Sequence, residues 1–161
     1  MSRIKELLKD PDSVLIFDID GVLAICEWGE YNHFDMSDEE WNARYADGQM
    51  YYTEEFVSKK MQDFLKSRDM SRVFVVTVAE SDAEGKDKIH FSNEYYNIPR
   101  ENVYYVKNKA SKLDKVLEIR KKFPNLDDRK ILMIDDTIEV LNNIMENTNY
   151  TTVHISSFLD I

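Results

Sequence analysis

The residues of this chain with the clearest chemical potential are carboxylates at the ends of apolar runs. Asp18 and Asp20 follow Val14-Leu15-Ile16-Phe17 and are followed at once by Gly21, one of four glycines in the 161-residue chain. Asp135 and Asp136 close a second run, Ile131-Leu132-Met133-Ile134, and Thr77 closes a third, Val73-Phe74-Val75-Val76. An isolated acid pair at a strand end is commonly just solvated; two acidic ends together with a threonine end are a more specific combination. Carboxylate oxygens without neighbouring His or Cys ligands select a hard cation, most naturally Mg²⁺. Magnesium usually takes one or two carboxylates and fills its other positions with water and substrate phosphate. The expected cofactor is therefore Mg²⁺, and the expected partner is a small phosphorylated molecule.

Phosphoryl transfer needs in-line placement, charge neutralisation and a nucleophile. A carboxylate can be that nucleophile, through an aspartyl-phosphate. A second acid two residues on can protonate the leaving group and then deprotonate water. The Thr77 hydroxyl can hold a phosphate oxygen, and a lysine near the same edge would offset the developing negative charge. The lysines in range are Lys107, Lys109 and Lys112, in a segment where most lysines are surface charges. Cys26 lies close to the acid pair, but no His partner is evident, so a thiol nucleophile is not expected. His33, His90 and His154 show no metal-ligand spacing and read as structural or surface residues.

The elements that would position these groups follow from pattern. The four-residue apolar run before Asp18 is too short for periodicity to separate strand from helix, but its β-branched and aromatic content and the following glycine favour a strand buried on both faces. Strands are expected near 13–18, 72–78, 103–106, 130–136 and 150–155. Helices are expected over 2–9, over 37–45 behind the Ser37-Asp38-Glu39-Glu40 capping box, and over 53–66. Further helices are expected from about 88 to 96, over 111–123, and over 137–146 behind a Thr137 cap. The polar stretch 79–88, with Gly85, reads as a loop. Strands alternating with helices imply an α/β fold of three layers, with a central parallel sheet of about five strands. Parallel strands point their carboxyl ends the same way, so Asp18, Asp20, Thr77, Asp135 and Asp136 should meet at one edge.

The chain is expected to form one domain, 1–161, with a small insertion at 26–53 after the first strand. That insertion is rich in acids and aromatics and holds one arginine or lysine, Arg44. Its aromatics read first as a satellite cluster packed on the core. The other reading has Trp28, Tyr31, Phe34 or Trp41 stack on a base or sugar of the substrate, with Arg44 meeting a phosphate. A formal net charge of -10 counts against broad binding to nucleic acid or an anionic membrane. One cysteine fits a reducing compartment, and with no signal-like or membrane-length apolar segment the expected location is cytoplasmic.

Asp18-Ile19-Asp20-Gly21-Val22-Leu23 resembles the first motif, D-x-D-G-[TV]-L, of the haloacid dehalogenase (HAD) superfamily of phosphohydrolases. Thr77 ending an apolar strand, a lysine opening the helix before the fourth strand, and Asp135-Asp136 resemble its later motifs in order. The resemblance covers about 13–155 apart from the insertion; its first and last motifs are the specific ones. It implies a Rossmann-like core, with Asp18 as nucleophile and Mg²⁺ ligand. Asp20 becomes the acid/base, also reaching the metal through its backbone carbonyl; Asp135 becomes a further ligand and Asp136 a supporting one. The family's lysine maps to Lys109, four residues before the apolar Leu113, with Lys112 as its rival. Retention of Asp20 implies phosphatase rather than carbon–halogen chemistry. The implied function is Mg²⁺-dependent hydrolysis of a phosphomonoester, with a nucleotide among the substrates considered and the insertion as a reduced cap. The alternatives are a phosphatase of nucleic-acid ends and a non-catalytic binding or regulatory module. A receiver-type signalling domain, which also has acids, a threonine and a lysine at strand ends, would place its acid pair after the first strand and a single acid after the third, unlike this chain.

Overall fold

The computed structural model describes residues 3–25 and 36–159. Among these, five strands form one parallel sheet in the order β3-β2-β1-β4-β5. They are β1 (Val14–Phe17), β2 (Val73–Val78), β3 (Val103–Val106), β4 (Ile131–Asp135) and β5 (Thr151–His154). Every residue of β1 is buried, as a central strand covered on both faces requires. The helices are α1 (Arg3–Lys9), α2 (Asp38–Ala46), α3 (Lys59–Leu65), α4 (Asp82–Tyr96), α5 (Lys112–Arg120) and α6 (Ile138–Asn147). The three-layer, Rossmann-like α/β class expected from the alternating pattern is the class observed.

Alternation along β1 separates two cores, because successive side chains leave a strand on opposite faces. Leu15 and Phe17 pack with Leu8 of α1, Met61 and Leu65 of α3, and Phe91 of α4. Val14 and Ile16 pack with Val116 and Ile119 of α5 and with Val140 and Ile144 of α6. The order runs outward from β1 through β2 to β3, then restarts on the other side of β1 with β4. That reversal is a topological switch point, where open α/β sheets form a crevice beyond their carboxyl ends.

Three expectations are corrected. The segment expected as a helix over 53–66 is a 3₁₀ turn, Glu54–Phe56, followed by the separate α3. Between them the backbone crosses the stretch after β1: Ile25 N donates to Phe56 O at 2.7 Å and Ser58 N to Leu23 O at 3.2 Å. These bonds outcompete helix propagation, and Ser58 Oγ then caps α3 by accepting from Met61 N at 3.3 Å.

The second correction is that α4 begins at Asp82, with Ser81 Oγ accepting from Glu84 N at 3.2 Å, so 82–88 of the expected loop are its first turns and 79–81 alone stay outside the helix. Gly85 lies inside the helix because a Cβ there would come within 2.5 Å of the Tyr105 ring. The glycine thus allows α4 to press against β3. Third, Thr137 occupies the N-cap position of α6 without a side-chain capping bond. Its hydroxyl donates instead to Asp136 Oδ1 at 3.1 Å. The capping box of α2 is present: Glu40 N donates to Ser37 Oγ at 3.2 Å, and Ser37 N donates to Glu40 Oε2 at 2.9 Å.

Candidate active site

The turn after β1 is built by one carbonyl. Ile19 O accepts from the N–H groups of Val22, Leu23 and Ala24 at 3.0, 2.9 and 2.8 Å. Asp18 N still donates to Ile134 O at 3.0 Å, so Asp18 extends the ladder to β4 just before the chain turns. Gly21 closes the turn at φ +72°, in the left-handed region. A Cβ there would sit 2.4 Å from Asp136 Oδ2, so glycine is required twice over, by conformation and by the approach of Asp136.

Asp18, Asp135 and Asp136 each offer an oxygen within 4.8 Å of the others. Asp18 and Asp135 are almost wholly buried, at 6% and 0% exposure. Lys112, the first residue of α5, lies between these two. Its Nζ is 2.9 Å from Asp18 Oδ2 and 2.8 Å from Asp135 Oδ2. Asp135 Oδ1 accepts from Thr137 N at 2.8 Å. Burial pushes the Asp18 carboxyl above its ordinary value, and the neighbouring Asp135 and Asp20 charges add to that, while Lys112 opposes it. Burial alone would pull the Lys112 ammonium down, but Asp18 and Asp135 together hold it above its ordinary value.

Two buried polar atoms, Asp18 Oδ1 and Thr77 Oγ1, have no hydrogen-bond partner among the described residues. A buried carboxylate oxygen left unpaired is unfavourable by about 1–3 kcal/mol or more, so it marks a place where a ligand belongs. Hard oxygen donors converging beside that orphan fit Mg²⁺, with Asp18, Asp135 and Asp136 as the side chains able to hold it.

The Asp20 carboxylate is engaged elsewhere. Its Oδ1 accepts from Tyr52 Oη at 2.6 Å and its Oδ2 from Lys88 Nζ at 2.8 Å. Lys88 Nζ also meets Glu84 Oε1 at 2.8 Å and donates to Val78 O at 2.6 Å. Burial would lower the Lys88 pKa, yet Asp20 and Glu84 raise it on balance, so its ammonium stays charged. Glu84 Oε2 accepts from Trp41 Nε1 at 3.2 Å and from Glu80 N at 2.9 Å. Asp20 is therefore held from two sides, by α4 and by the segment after α2.

Of the expected site residues, the structure brings Asp18, Asp135 and Asp136 together and buries Thr77 at the end of β2. The lysine it places beside these acids is Lys112 and not Lys109. Lys109 is exposed, lines a surface cavity with Glu139 and Asn143, and pairs with no acid among the described residues. Lys107 is also exposed, with Nζ 3.6 Å from Asp82 Oδ1. The buried stripe of α5 is Lys112, Val116 and Ile119. Leu113, on which the choice of Lys109 rested, is only partly buried on its face's core.

Sequence reading missed Lys88, Glu84, Tyr52 and Asp87. A signal existed: Glu84 and Lys88 continue, at helical spacing, the stripe that buries Phe91, Ser92 and Tyr96. The insertion's aromatics Trp41, Tyr45, Tyr51 and Tyr52 join the core on the α4 side, as the packing reading expected. The Arg44 guanidinium lies over the Tyr51 ring, 5.6 Å from its centroid. Cys26, Trp28, Tyr31, His33 and Phe34 lie outside the described residues.

No protein-family model matches the chain, and no curated protein is detectably similar in sequence. Among solved structures it is similar to DsGPDH of Dunaliella salina, at 14% identity and a TM-score of 0.54. That match covers 91% of this chain and 24% of the other, so the chain spans about a quarter of that protein's length. A looser likeness is to the HAD domain of effector protein Lem4 from Legionella pneumophila. There the identity is 12% and the TM-score 0.43, over 88% of this chain and 84% of that one. The first match shows a shared fold. No helix among the described residues is long and apolar enough to cross a membrane.

Proposed function

We propose that the protein is a HAD-type phosphatase that hydrolyses a phosphomonoester through an aspartyl-phosphate on Asp18. The observation that carries this reading is the Asp18 carboxylate itself. One oxygen is clamped by Lys112, while the other is buried and has no partner among the described residues. A carboxylate held at one oxygen and open at the other is arranged to attack.

In the first step Asp18 Oδ1 attacks phosphorus, the ester P–O bond breaks, and Asp20, which must enter the cycle protonated, gives that proton to the departing alkoxide. In the second, Asp20 takes a proton from water, the resulting hydroxide attacks phosphorus, and inorganic phosphate leaves as the Asp18 carboxylate is restored. Lys112 stays charged throughout and offsets the charge gathering on the phosphoryl oxygens. Thr77 Oγ1 is free to hold one of those oxygens. Mg²⁺, held by Asp18, Asp135 and Asp136 and by the Asp20 carbonyl, would supply charge neutralisation at the phosphoryl group. The described part of the insertion, 36–53, serves as a reduced cap beside Asp20, and the substrate is a small phosphorylated molecule.

A screen of phosphomonoesters with and without Mg²⁺, run on wild type and Asp18→Asn, tests this. The expected result is Mg²⁺-dependent release of phosphate that the substitution abolishes. Activity that survives Asp18→Asn overturns the nucleophile assignment. No release from any monoester, nucleotides and nucleic-acid ends included, moves the chain to a binding or regulatory module.

A further inference from the structure

Lys88 is a buried ammonium that the two chemical steps above do not use. It is 2% exposed, and its donors go to Asp20 Oδ2, Glu84 Oε1 and the Val78 carbonyl. Taking an ammonium out of water is costly, and pairing with carboxylates offsets that cost. One of the two carboxylates is the acid/base of the proposed reaction. Lys112 serves the phosphoryl group, whereas this second buried cation is directed at the group that moves the proton.

A carboxyl group that passes a proton must lie within hydrogen-bond reach of the leaving oxygen, and later of a water. The Asp20 side chain is 24% exposed and turns about two bonds, so packing alone does not fix it. Hydrogen bonds do. Lys88 Nζ holds Oδ2 at 2.8 Å and Tyr52 Oη holds Oδ1 at 2.6 Å, which restrains both torsions. A carboxylate oxygen accepts at two lone pairs, so one donor on each oxygen does not itself block the site of the travelling proton.

Both donors are themselves held. Glu84, 4% exposed, meets Lys88 Nζ through Oε1, while its Oε2 accepts from Trp41 Nε1 at 3.2 Å and Glu80 N at 2.9 Å. Tyr52, 2% exposed, packs its ring against Trp41, Tyr51 and Phe91, with centroids 6.4, 5.3 and 5.5 Å away. Lys88 Nζ lies 5.4 Å from the centroid of the same ring. Trp41 and Tyr52 thus close the network from the insertion, and Glu84 and Lys88 close it from α4.

We propose that Lys88 and Tyr52 are positioning residues for Asp20, which hold its carboxyl group in the orientation that proton transfer requires. This inference rests on the phosphatase reading above and gives the insertion a part in its proton step. A slightly misplaced catalytic group loses on the order of 10²-fold in rate. The loss must depend on the leaving group. An alkoxide needs the Asp20 proton to depart, whereas para-nitrophenolate leaves without one. The kcat/KM value covers the steps up to the first P–O cleavage, where that difference lies.

The test measures kcat/KM with Mg²⁺ for para-nitrophenyl phosphate and for the alkyl monoester hydrolysed fastest in the screen above. Tyr52→Phe removes one hydroxyl and keeps the packed ring. Lys88→Met is combined with Glu84→Gln, so that Glu84 is not left as a buried, unpaired charge. Tyr52→Phe should lower the alkyl value about tenfold and the double variant about 10²-fold, with far smaller losses on the aryl ester. Asp20→Asn should show the same selective loss. In that background Tyr52→Phe should remove less than about threefold more from the alkyl value, because the group it positions is already disabled. Equal losses on the two esters, or an undiminished tenfold loss on top of Asp20→Asn, would mean that the network only supports the fold; either overturns the inference and leaves Asp18 as the nucleophile. Undiminished alkyl hydrolysis by either variant overturns it as well, as does wild-type hydrolysis confined to the aryl ester. Phosphate release from no ester by wild type overturns the phosphatase reading and this inference with it.

Discussion

At the scale of single residues, the site depends on one ammonium between two buried carboxylates. Taking two charges out of water is expensive unless an opposite charge meets them, and removing the partner exposes the full penalty. Lys112→Met would leave Asp18 and Asp135 facing each other, at 6% and 0% exposure, with no cation. We expect a loss of about 3–5 kcal/mol in urea denaturation at neutral pH, partly recovered by Mg²⁺, which would neutralise the same oxygens.

The pH dependence of that loss has a definite sign. Lys112 is held above its ordinary value of 10.5, so its stabilising contribution is complete below that pH and disappears as pH rises through the folded value. The gap between wild type and variant should therefore close at strongly alkaline pH, and it should narrow again at acid pH, where the Asp18 carboxyl, pushed up by burial and no longer opposed by Lys112, takes a proton in the variant. A gap below about 1 kcal/mol at neutral pH would mean that the Lys112 pairs are nearly neutral energetically.

At the scale of elements, the attachment of the insertion to α4 decides how Asp20 is held. Asp87, 3% exposed, is the anchor. Its Oδ2 accepts from Tyr45 Oη at 2.9 Å, from Tyr51 N at 2.7 Å and from Tyr52 N at 3.2 Å. Burial raises the Asp87 pKa, and those three bonds counter it. The same stretch of chain then sends the Tyr52 hydroxyl to Asp20. Asp87→Ala would strand three donors, and we expect it to lower stability by about 2–4 kcal/mol and to reduce kcat by loosening Asp20. Unchanged stability and unchanged kcat would show that Asp20 is positioned without the insertion.

This attachment was not legible in the sequence. Glu84, Asp87 and Lys88 fall in the stretch 79–88 that reads as a polar loop, and only the spacing of Glu84 and Lys88 with Phe91 and Tyr96 hints at burial. The choice between Lys109 and Lys112 is open in the sequence for the same reason: a lysine that forms part of a buried stripe cannot be told from a solvated one by type. By contrast, β1, β2 and β4 were legible because continuous β-branched and aromatic runs leave few alternatives. The split of 53–66 into a turn and α3 was not, since it is decided by bonds to the stretch after β1, far away in sequence.

At the scale of the whole molecule, the order β3-β2-β1-β4-β5 explains why two distant acid pairs meet. β1 and β4 are neighbours at the switch point, in register from Val14 with Ile131 to Phe17 with Ile134. The residue after β1 and the last residue of β4 then share one crevice, and the shift that makes a strand pair also makes the site. Charge is divided over the same edge. Lys112 sits with Asp18 and Asp135, whereas the far side of Asp20 is walled by carboxylates, in a chain of net charge -10.

The central claim is that Asp18 becomes phosphorylated during turnover. The most direct measurement is acid quench of the protein turning over a hydrolysed monoester with Mg²⁺, followed by peptide mass spectrometry of the segment that contains Asp18. The expected result is a phosphoryl group on Asp18 in wild type and none in Asp18→Asn. Sustained hydrolysis with the phosphoryl group on another residue, or undiminished hydrolysis by Asp18→Asn, would contradict it.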